Sequence, residues 1–247
     1  MNNTLHKGMR VLEHLTHCNK PQGISDIANS MSMGRSMVHR LLQGWVDLGY
    51  VRKNAESEYF ATLKLWEIGM RLIGQLDVRV AARPVMSRLL ESTGETVQLT
   101  VLQELDVVYI ETMESRAPVR SSMAVGAKAP AHCAATGKVM LAFSDYESML
   151  TGLDCLARYS RTTITDLQDF RRELQQIQAQ GFAVNRGEWR EEVRGLAAPI
   201  FDARNQVVAG LGISTPAARL KPAAIRKYAP LLVSAAQEIS RTLGGMA

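Results

Sequence analysis

Ile24-Ser25-Asp26-Ile27-Ala28-Asn29-Ser30-Met31-Ser32-Met33-Gly34-Arg35-Ser36-Met37-Val38-His39-Arg40-Leu41-Leu42 decides how the first third of the chain folds. Ser25 is a capping-type residue ahead of Asp26, Ile27 and Ala28, which places a short helix there. A tight turn is expected from Ser30 to Gly34. Another helix starts near Arg35, with Val38, Leu41, Leu42 and Trp45 on one face. Gly49 suits its left-handed end. Upstream, Leu5, Met9, Leu12 and Leu15 recur at helical spacing, and Pro21-Gln22-Gly23 breaks that helix. Downstream, Tyr50-Val51-Arg52-Lys53 and Glu58-Tyr59-Phe60-Ala61 flank the polar turn Asn54-Ala55-Glu56-Ser57, a pair of short strands.

Two helices joined by a short turn and followed by a hairpin make a winged helix-turn-helix. The helix from Arg35 sets a polar, basic face opposite its apolar one. Such a helix fits the roughly 12 Å major groove of duplex DNA. Arg35, Ser36 and Met37 stand at the end that enters the groove first. Arg40 is the leading base or phosphate contact, because arginine reads guanine and clamps phosphate. His39 is placed for phosphate, and Arg52 and Lys53 bring the hairpin to the backbone. The competing readings are a small helical bundle with a solvated face and, for Arg40, a salt bridge within the domain.

The 247 residues carry a formal charge of +5, with 46% hydrophobic and 21% charged residues. That is a globular balance, long enough for two domains and too apolar for a disordered tail. Residues 1–75 hold nine Lys/Arg against six Asp/Glu, a mild basic excess compatible with nucleic acid. No uncharged apolar run reaches the ~18 residues of a membrane span, and Met1 to Lys20 lacks the apolar core of a secretory signal. Cys18, Cys133 and Cys155 are odd in number and show no C-x-x-C spacing, so neither a disulfide framework nor a zinc site is expected. A reducing cytoplasm is the expected compartment.

Residues 63–93 read as connecting helices, with Leu63, Leu65, Trp66, Ile68, Gly69, Leu72 and Ile73 apolar enough to require burial, and Val85, Met86, Leu89 and Leu90 continuing beyond Pro84. From residue 94 strand and helix signals alternate. Strands are expected over Thr96–Leu105, Val107–Thr112, Phe182–Val184, Leu196–Phe201 and Val207–Ser214. Helices are expected over Ala131–Phe143, Leu167–Gln180 and Pro222–Leu243. The fold class is α+β: residues 1–62 a winged helix-turn-helix, 63–93 linker helices, and 94–247 an α/β sensor-type domain.

A set of motifs then gives a family likeness over nearly the whole chain. They are Ile24-Ser25-Asp26-Ile27-Ala28, Arg35 to Leu42, Leu48-Gly49-Tyr50-Val51, Gly94-Glu95-Thr96, Pro130 to Ala142, Gly181-Phe182-Ala183, Ala197-Ala198-Pro199-Ile200-Phe201-Asp202 and the terminal Leu243-Gly244-Gly245. In this order the chain resembles the IclR family of bacterial transcriptional regulators. The resemblance implies an N-terminal domain that binds operator DNA and a C-terminal effector-binding domain of GAF-like fold. It also implies a homodimer, in the family often a tetramer, acting as repressor, activator or both, in many members on small-acid or aromatic catabolism. Ser32 stands where the family's turn often has glycine, which predicts a less sharp turn. Met37 replaces a common threonine, and Thr62 follows Ala61 where Leu-Gly is common. Glu192 and Gly195 depart from a Gly-Val-Arg-Cys-like stretch at the pocket floor.

The candidate effector site follows from chemistry and likeness together. Pro130 to Thr136 leads into a helix N-terminus whose free N–H groups and dipole favour an anion, so a carboxylate is expected to dock at Ala135-Thr136-Gly137. The alternative is close packing by small residues. In Asn185-Arg186-Gly187-Glu188-Trp189-Arg190-Glu191-Glu192, Arg186 or Arg190 can grip a carboxylate bidentately and Trp189 can stack on a ring. A solvated loop with internal ion pairs is the alternative. The likeness puts this stretch, Glu188 included, and Leu211-Gly212-Ile213-Ser214 beside the effector; Ser214 can hydrogen-bond it and Gly212 can leave it room. The small-molecule partner is thus a carboxylate or aromatic acid. His132-Cys133 tempts a catalytic reading, but adjacent residues of an extended segment point apart and no orienting third group is evident. A phosphate-binding loop is excluded by His132 and Val139. No cofactor and no metal are expected. Two other function classes stay open. An enzyme turning over its C-terminal ligand lacks a paired acid–base or nucleophilic set. A DNA-binding protein without effector would not need a large second domain.

Overall fold

In a computed structural model of the chain, described for residues 3–68 and 77–245, the sequence separates into two units, Met1–Gln75 and Leu76–Ala247. In the first, α1 (Asn3–His17), α2 (Ile24–Met31) and α3 (Arg35–Asp47) precede an antiparallel hairpin of β1 (Val51–Lys53) and β2 (Tyr59–Ala61), with Val51 opposite Ala61. The core is Val11, Leu12, Leu15, Ile27, Ala28, Val38, Leu42, Val51 and Tyr59. Only the later half of the anticipated α1 stripe is inside: Leu5 and Met9 are 62% and 43% exposed. The Trp45 indole N–H donates to the Gly8 carbonyl at 3.0 Å, tying α3 to α1.

Ser25 lies inside α2 and does not cap it; the N-cap is Gly23, which offers no side chain, so that expectation is corrected. The turn between α2 and α3 is sharp after all. Ser32 adopts φ 52° and ψ 46°, the left-handed conformation that glycine takes more cheaply, and Met33 N–H closes the turn onto the Ala28 carbonyl at 2.9 Å. Gly49, at φ 77°, ends α3 as expected. Residues 64–68 are helical, and Leu63 and Trp66 are exposed within their unit. The rest of the anticipated linker at 69–76, with Gly69, Leu72 and Ile73, lies outside the described residues. Its last part is α4 (Asp77–Thr93), which runs through Pro84 and packs inside the second unit by Val78, Ala82, Val85, Met86 and Leu89.

The second unit is built on a six-stranded antiparallel sheet of order β5-β4-β3-β8-β7-β6. The strands are β3 (Thr96–Gln103), β4 (Asp106–Met113), β5 (Lys128–Pro130), β6 (Ala183–Asn185), β7 (Val193–Phe201) and β8 (Val207–Pro216). Side-chain alternation gives each face its own core. Val97, Leu99, Leu196, Ala198, Leu211 and Ile213 pack on α4 and on α8 (Pro222–Thr242). Tyr109 and Ala197 pack on α5 (Ala135–Ala142) and α7 (Leu167–Gln180). Burial of each such Leu, Ile or Phe contributes about 1.5–3 kcal/mol. A short α6 (Tyr146–Leu150) and β5 give no periodic signal at five and three residues and were not anticipated. α7 has the expected bounds: Asp166 accepts the N–H groups of Gln168 and Asp169, and Gly181 ends the helix at φ 78°.

The helix expected over Ala131–Phe143 is interrupted. Ala131–Cys133 form one 3-10 turn, Ala134 is extended at φ −98° and ψ 136°, and α5 starts only at Ala135. That break sets the first turn of α5 against the sheet. Its close approach depends on two strand glycines: a Cβ on Gly210 or Gly212 would lie 2.9 or 2.8 Å from Thr136 side-chain carbons.

Candidate functional site

In the first unit, Arg35, Ser36, His39 and Arg40 are exposed on α3, Met37 is half-buried, and Arg52 and Lys53 are exposed on β1. The apolar side of α3 is held by Val38 and Leu42, both fully buried. Among the described residues Arg40 pairs with no carboxylate, so the anticipated competing salt bridge is not formed. Lys53 Nζ lies 5.8 Å from the centre of the Tyr59 ring, close to the range of a cation over an aromatic face.

In the second unit a cavity opens between the first turn of α5, the Gly-rich middle of β8, the start of β7 and the loop after β4. Ala134, Ala135, Thr136, Trp189, Gly212 and Ser214 line it, so five of the anticipated effector residues meet there. The cavity volume is about 50 Å³, room for a few waters or one small acid. The first-turn N–H groups of α5 have no acceptor within the helix, and Ala134 supplies no side-chain cap. An oxygen anion is the natural complement of such a helix end.

Three anticipated residues do not line the cavity. Gly137 serves packing: any Cβ there would collide with the Ala131 backbone. Arg186 is exposed and reaches Glu173 at 3.4 Å. Glu188 is 2% exposed and binds Lys138. Gly212 is at the cavity wall, but the room it leaves is filled by the Thr136 methyl. Ser214 is engaged as well, its hydroxyl donating to Ser121 at 2.9 Å. The Arg190 guanidinium stacks 4.5 Å above Trp189, so the indole already carries a planar partner on one side.

Beneath this loop lies an ion cluster that sequence reasoning missed. Lys138 is fully buried, and its Nζ donates to Glu173 Oε1 at 2.8 Å, the Val184 carbonyl at 2.8 Å and Glu188 Oε1 at 2.9 Å. Three acceptors exhaust the ammonium's donors. Burial, aided by the neighbouring Glu173 charge, holds the Glu188 carboxyl above the ordinary range although Lys138 pulls it down. Burial also acts to raise Glu173, but Lys138 and Arg186 outweigh it and hold that carboxyl below the usual range.

Gln98, Tyr109, Ser121, Met123 and Asn185 also line the cavity, beyond the anticipated effector contacts, and so does Arg190, a candidate carboxylate grip from the sequence. The signal for Gln98 was one polar residue inside the apolar strand Thr96-Val97-Gln98-Leu99. Its Nε2 is buried without a hydrogen-bond partner, as is Arg194 Nε. Burial pushes the Tyr109 phenol up to about 12, with Arg190 drawing it back slightly, so its O–H remains a donor at neutral pH. Asn185 shapes the site by donating to the Cys133 carbonyl at 2.8 Å and accepting from Gly187 and Glu188 N–H.

His132 and Cys133 do not form an acid–base or nucleophilic pair. Burial pulls the His132 imidazole below its usual range, and its Nε2 meets the Ala157 carbonyl at 2.9 Å. Burial also drives the Cys133 thiol up to about 12, far from a thiolate at neutral pH. Among the described residues no cluster of His, Cys, Asp and Glu could hold a metal, and no helix is long and apolar enough to cross a membrane.

Comparison with known proteins bears on both units. Residues 4–55 match the IclR helix-turn-helix domain, and residues 70–241 match the C-terminal domain of bacterial IclR transcriptional regulators. The HTH-type transcriptional regulator KdgR of Escherichia coli is 35% identical over 226 residues, covering 90% of this chain and 86% of its own length. The crystal structure of Thermotoga maritima IclR aligns with TM-score 0.84 at 28% identity, over 99% of this chain and 100% of that one. An IclR homologue of Microbacterium hydrocarbonoxydans, crystallised with 4-hydroxybenzoate, aligns with TM-score 0.82 at 26% identity, over 98% and 99% of the two chains.

Proposed function

The chain belongs to the IclR family of bacterial transcriptional regulators, and from that premise we propose that a small organic acid, bound in the second unit, controls its grip on operator DNA. Residues 1–62 are the DNA-binding domain and 94–247 the GAF-like effector domain; 63–93 join them, ending in α4, which packs on the sheet of the second unit. Arg40 reads a base or clamps phosphate beside Arg35, Ser36 and Met37, while His39, Arg52 and Lys53 contact the backbone. The protein acts as a homodimer, or a tetramer of dimers' making, on a palindromic site in the cytoplasm, since two-fold DNA symmetry mirrors two-fold protein symmetry.

The observation that carries the effector reading is the uncapped first turn of α5 opening into the cavity. Its N–H groups supply the partners that a carboxylate needs. Trp189 and Tyr109 offer aromatic surface for an aromatic acid. The relative crystallised with 4-hydroxybenzoate supports that class without naming this chain's ligand. The acid regulates only by binding two conformations unequally, and the connecting segment at 63–93 is where such a difference would pass to the DNA-binding unit.

Thermal unfolding of the full-length protein against small aliphatic and aromatic carboxylates tests the reading. A ligand at about 100 times its dissociation constant adds about 2.7 kcal/mol to the native state, worth roughly 5–11 °C for a unit of this size. A selective shift abolished by neutral amide analogues supports it. A flat profile across the whole series contradicts it and favours DNA binding without an effector.

A further inference from the structure

The last carbonyls of a helix need partners from outside it. At the C-terminal end of α3, and in the turn beyond it, residues after the hairpin supply them. Lys64 Nζ donates to the Leu48 carbonyl at 2.5 Å, and the Thr62 hydroxyl donates to the Gly49 carbonyl at 2.8 Å. The Thr62 N–H donates to the Tyr50 carbonyl at 2.9 Å. The same Thr62 hydroxyl accepts the Lys64 N–H at 3.2 Å, so one oxygen joins the start of the helical stretch 64–68 to the end of α3. Lys64 Nζ also lies 5.0 Å from the centre of the Tyr50 ring, and that ring meets Trp45 of α3 edge-on at 5.4 Å. A cation suits the negative end of a helix dipole, but at an exposed end such as this it adds little stability. Its effect is on geometry. α3 has 13 residues, a rod about 20 Å long at about 1.5 Å per residue. Arg35 and Ser36 stand at its far end. A tilt of about 5° about the held end moves them by about 1.7 Å, more than a hydrogen bond to a base edge absorbs.

We infer that Thr62 and Lys64 are positioning residues for DNA binding. From the start of the connecting segment they fix the C-terminal end of α3, and through it the DNA-facing residues at the other end. Lys64 is engaged with protein and not with a phosphate, and a displacement of 64–68 is passed to α3. Thr62 stands where Leu-Gly is common in the family, so its hydroxyl link belongs to this chain. The inference rests on the reading of α3 as the helix that faces DNA and adds what orients it.

The test is a fluorescence-anisotropy titration of the full-length protein over a series of salt concentrations, on DNA of its own promoter region and on an unrelated duplex of equal length. Thr62→Val and Lys64→Met should each weaken promoter binding roughly 3- to 10-fold, the worth of one hydrogen bond. The unrelated duplex, held through its phosphates, should bind as before, and the slope of log affinity against log salt should not change. Thr62→Ser and Lys64→Arg, which keep the donors, should return promoter affinity to within about two-fold of wild type. Melting within about 4 °C of wild type shows that the unit stays folded, and Lys64→Gln serves if the methionine variant unfolds early. Unchanged promoter affinity in both variants overturns the inference. So does a loss that serine and arginine do not restore. A slope lowered by about one, with equal loss on both duplexes, also overturns it and makes Lys64 a phosphate contact. Arg40→Ala separates the two readings. If it weakens promoter binding while the Thr62 and Lys64 variants do not, only the positioning role falls; if none of the three matters, the reading of α3 on DNA falls with it.

Discussion

Lys138→Met removes one charge from a place where no water can replace it. The methionine keeps the volume of the stem, so the loss reports the ammonium. In the native protein that ammonium meets three acceptors within 2.9 Å, and Glu188 beside it is 2% exposed. Taking one partner from a buried ion pair costs about 3–5 kcal/mol, because the other charge is left uncompensated. At 2–4 °C per kcal/mol for a unit of this length, unfolding of the second unit should come roughly 6–20 °C earlier. Differential scanning calorimetry measures it. The pH dependence adds an independent check. The Glu188 carboxyl stands above its ordinary value when folded, so the folded state takes up a proton before the unfolded state does as pH falls. Its contribution is therefore gained between the raised folded value and the unfolded ~4.3, and lost as pH rises through the folded value. Without Lys138 that carboxyl rises further. The deficit of the variant should be larger at about pH 7.5 than at about pH 5.5, and Lys138→Met with Glu188→Gln should recover at least half of it. A loss below about 1 kcal/mol, equal at both pH values, would refute the buried-cluster argument.

Arg40→Ala should weaken operator binding by about 1–3 kcal/mol in a gel-shift titration while leaving the unfolding temperature unchanged, since Arg40 holds no ion pair among the described residues. Arg52→Gln and Lys53→Gln should each lower the slope of log affinity against log salt by about one; an unchanged slope removes the hairpin from the phosphates. Gly137→Ala should destabilise the second unit beyond the usual 1–3 kcal/mol of overpacking, because backbone at Ala131 cannot rotate aside, and a melting curve within 1 °C of wild type would show that α5 can slide.

The helix-turn-helix was legible because its signals are local. Val38 and Leu42 repeat at helical spacing, Gly49 ends the helix, and a polar turn at residues 54–58 separates two strands. Ser32 shows the limit of residue preference: a serine takes the left-handed angle since the packing of α2 on α3 over-determines the turn. The cavity was only partly legible. Ala135, Thr136, Trp189 and Ser214 sit at a helix start, a loop and a strand that sequence could flag. Glu188 and Trp189 are neighbours in the chain, yet one turns inward to Lys138 and the other lines the cavity. Loop residues carry no period from which that division could be read. Lys138 lies in a helix of small and apolar residues, and its acceptors come from positions 173, 184 and 188, which only the folded chain brings together. Gln98 had a signal, a polar residue in a buried strand, but only strand register places it opposite Gly212 at the cavity.

The most direct test of ligand-controlled DNA binding is the affinity of the full-length protein for DNA of its own promoter region, measured with and without a saturating concentration of the acid that stabilises it most. Coupling of about 1–3 kcal/mol should change that affinity by about 5- to 150-fold in one direction, and the DNA should change the acid's affinity by the same factor. Equal DNA affinity with the ligand demonstrably bound would contradict the account.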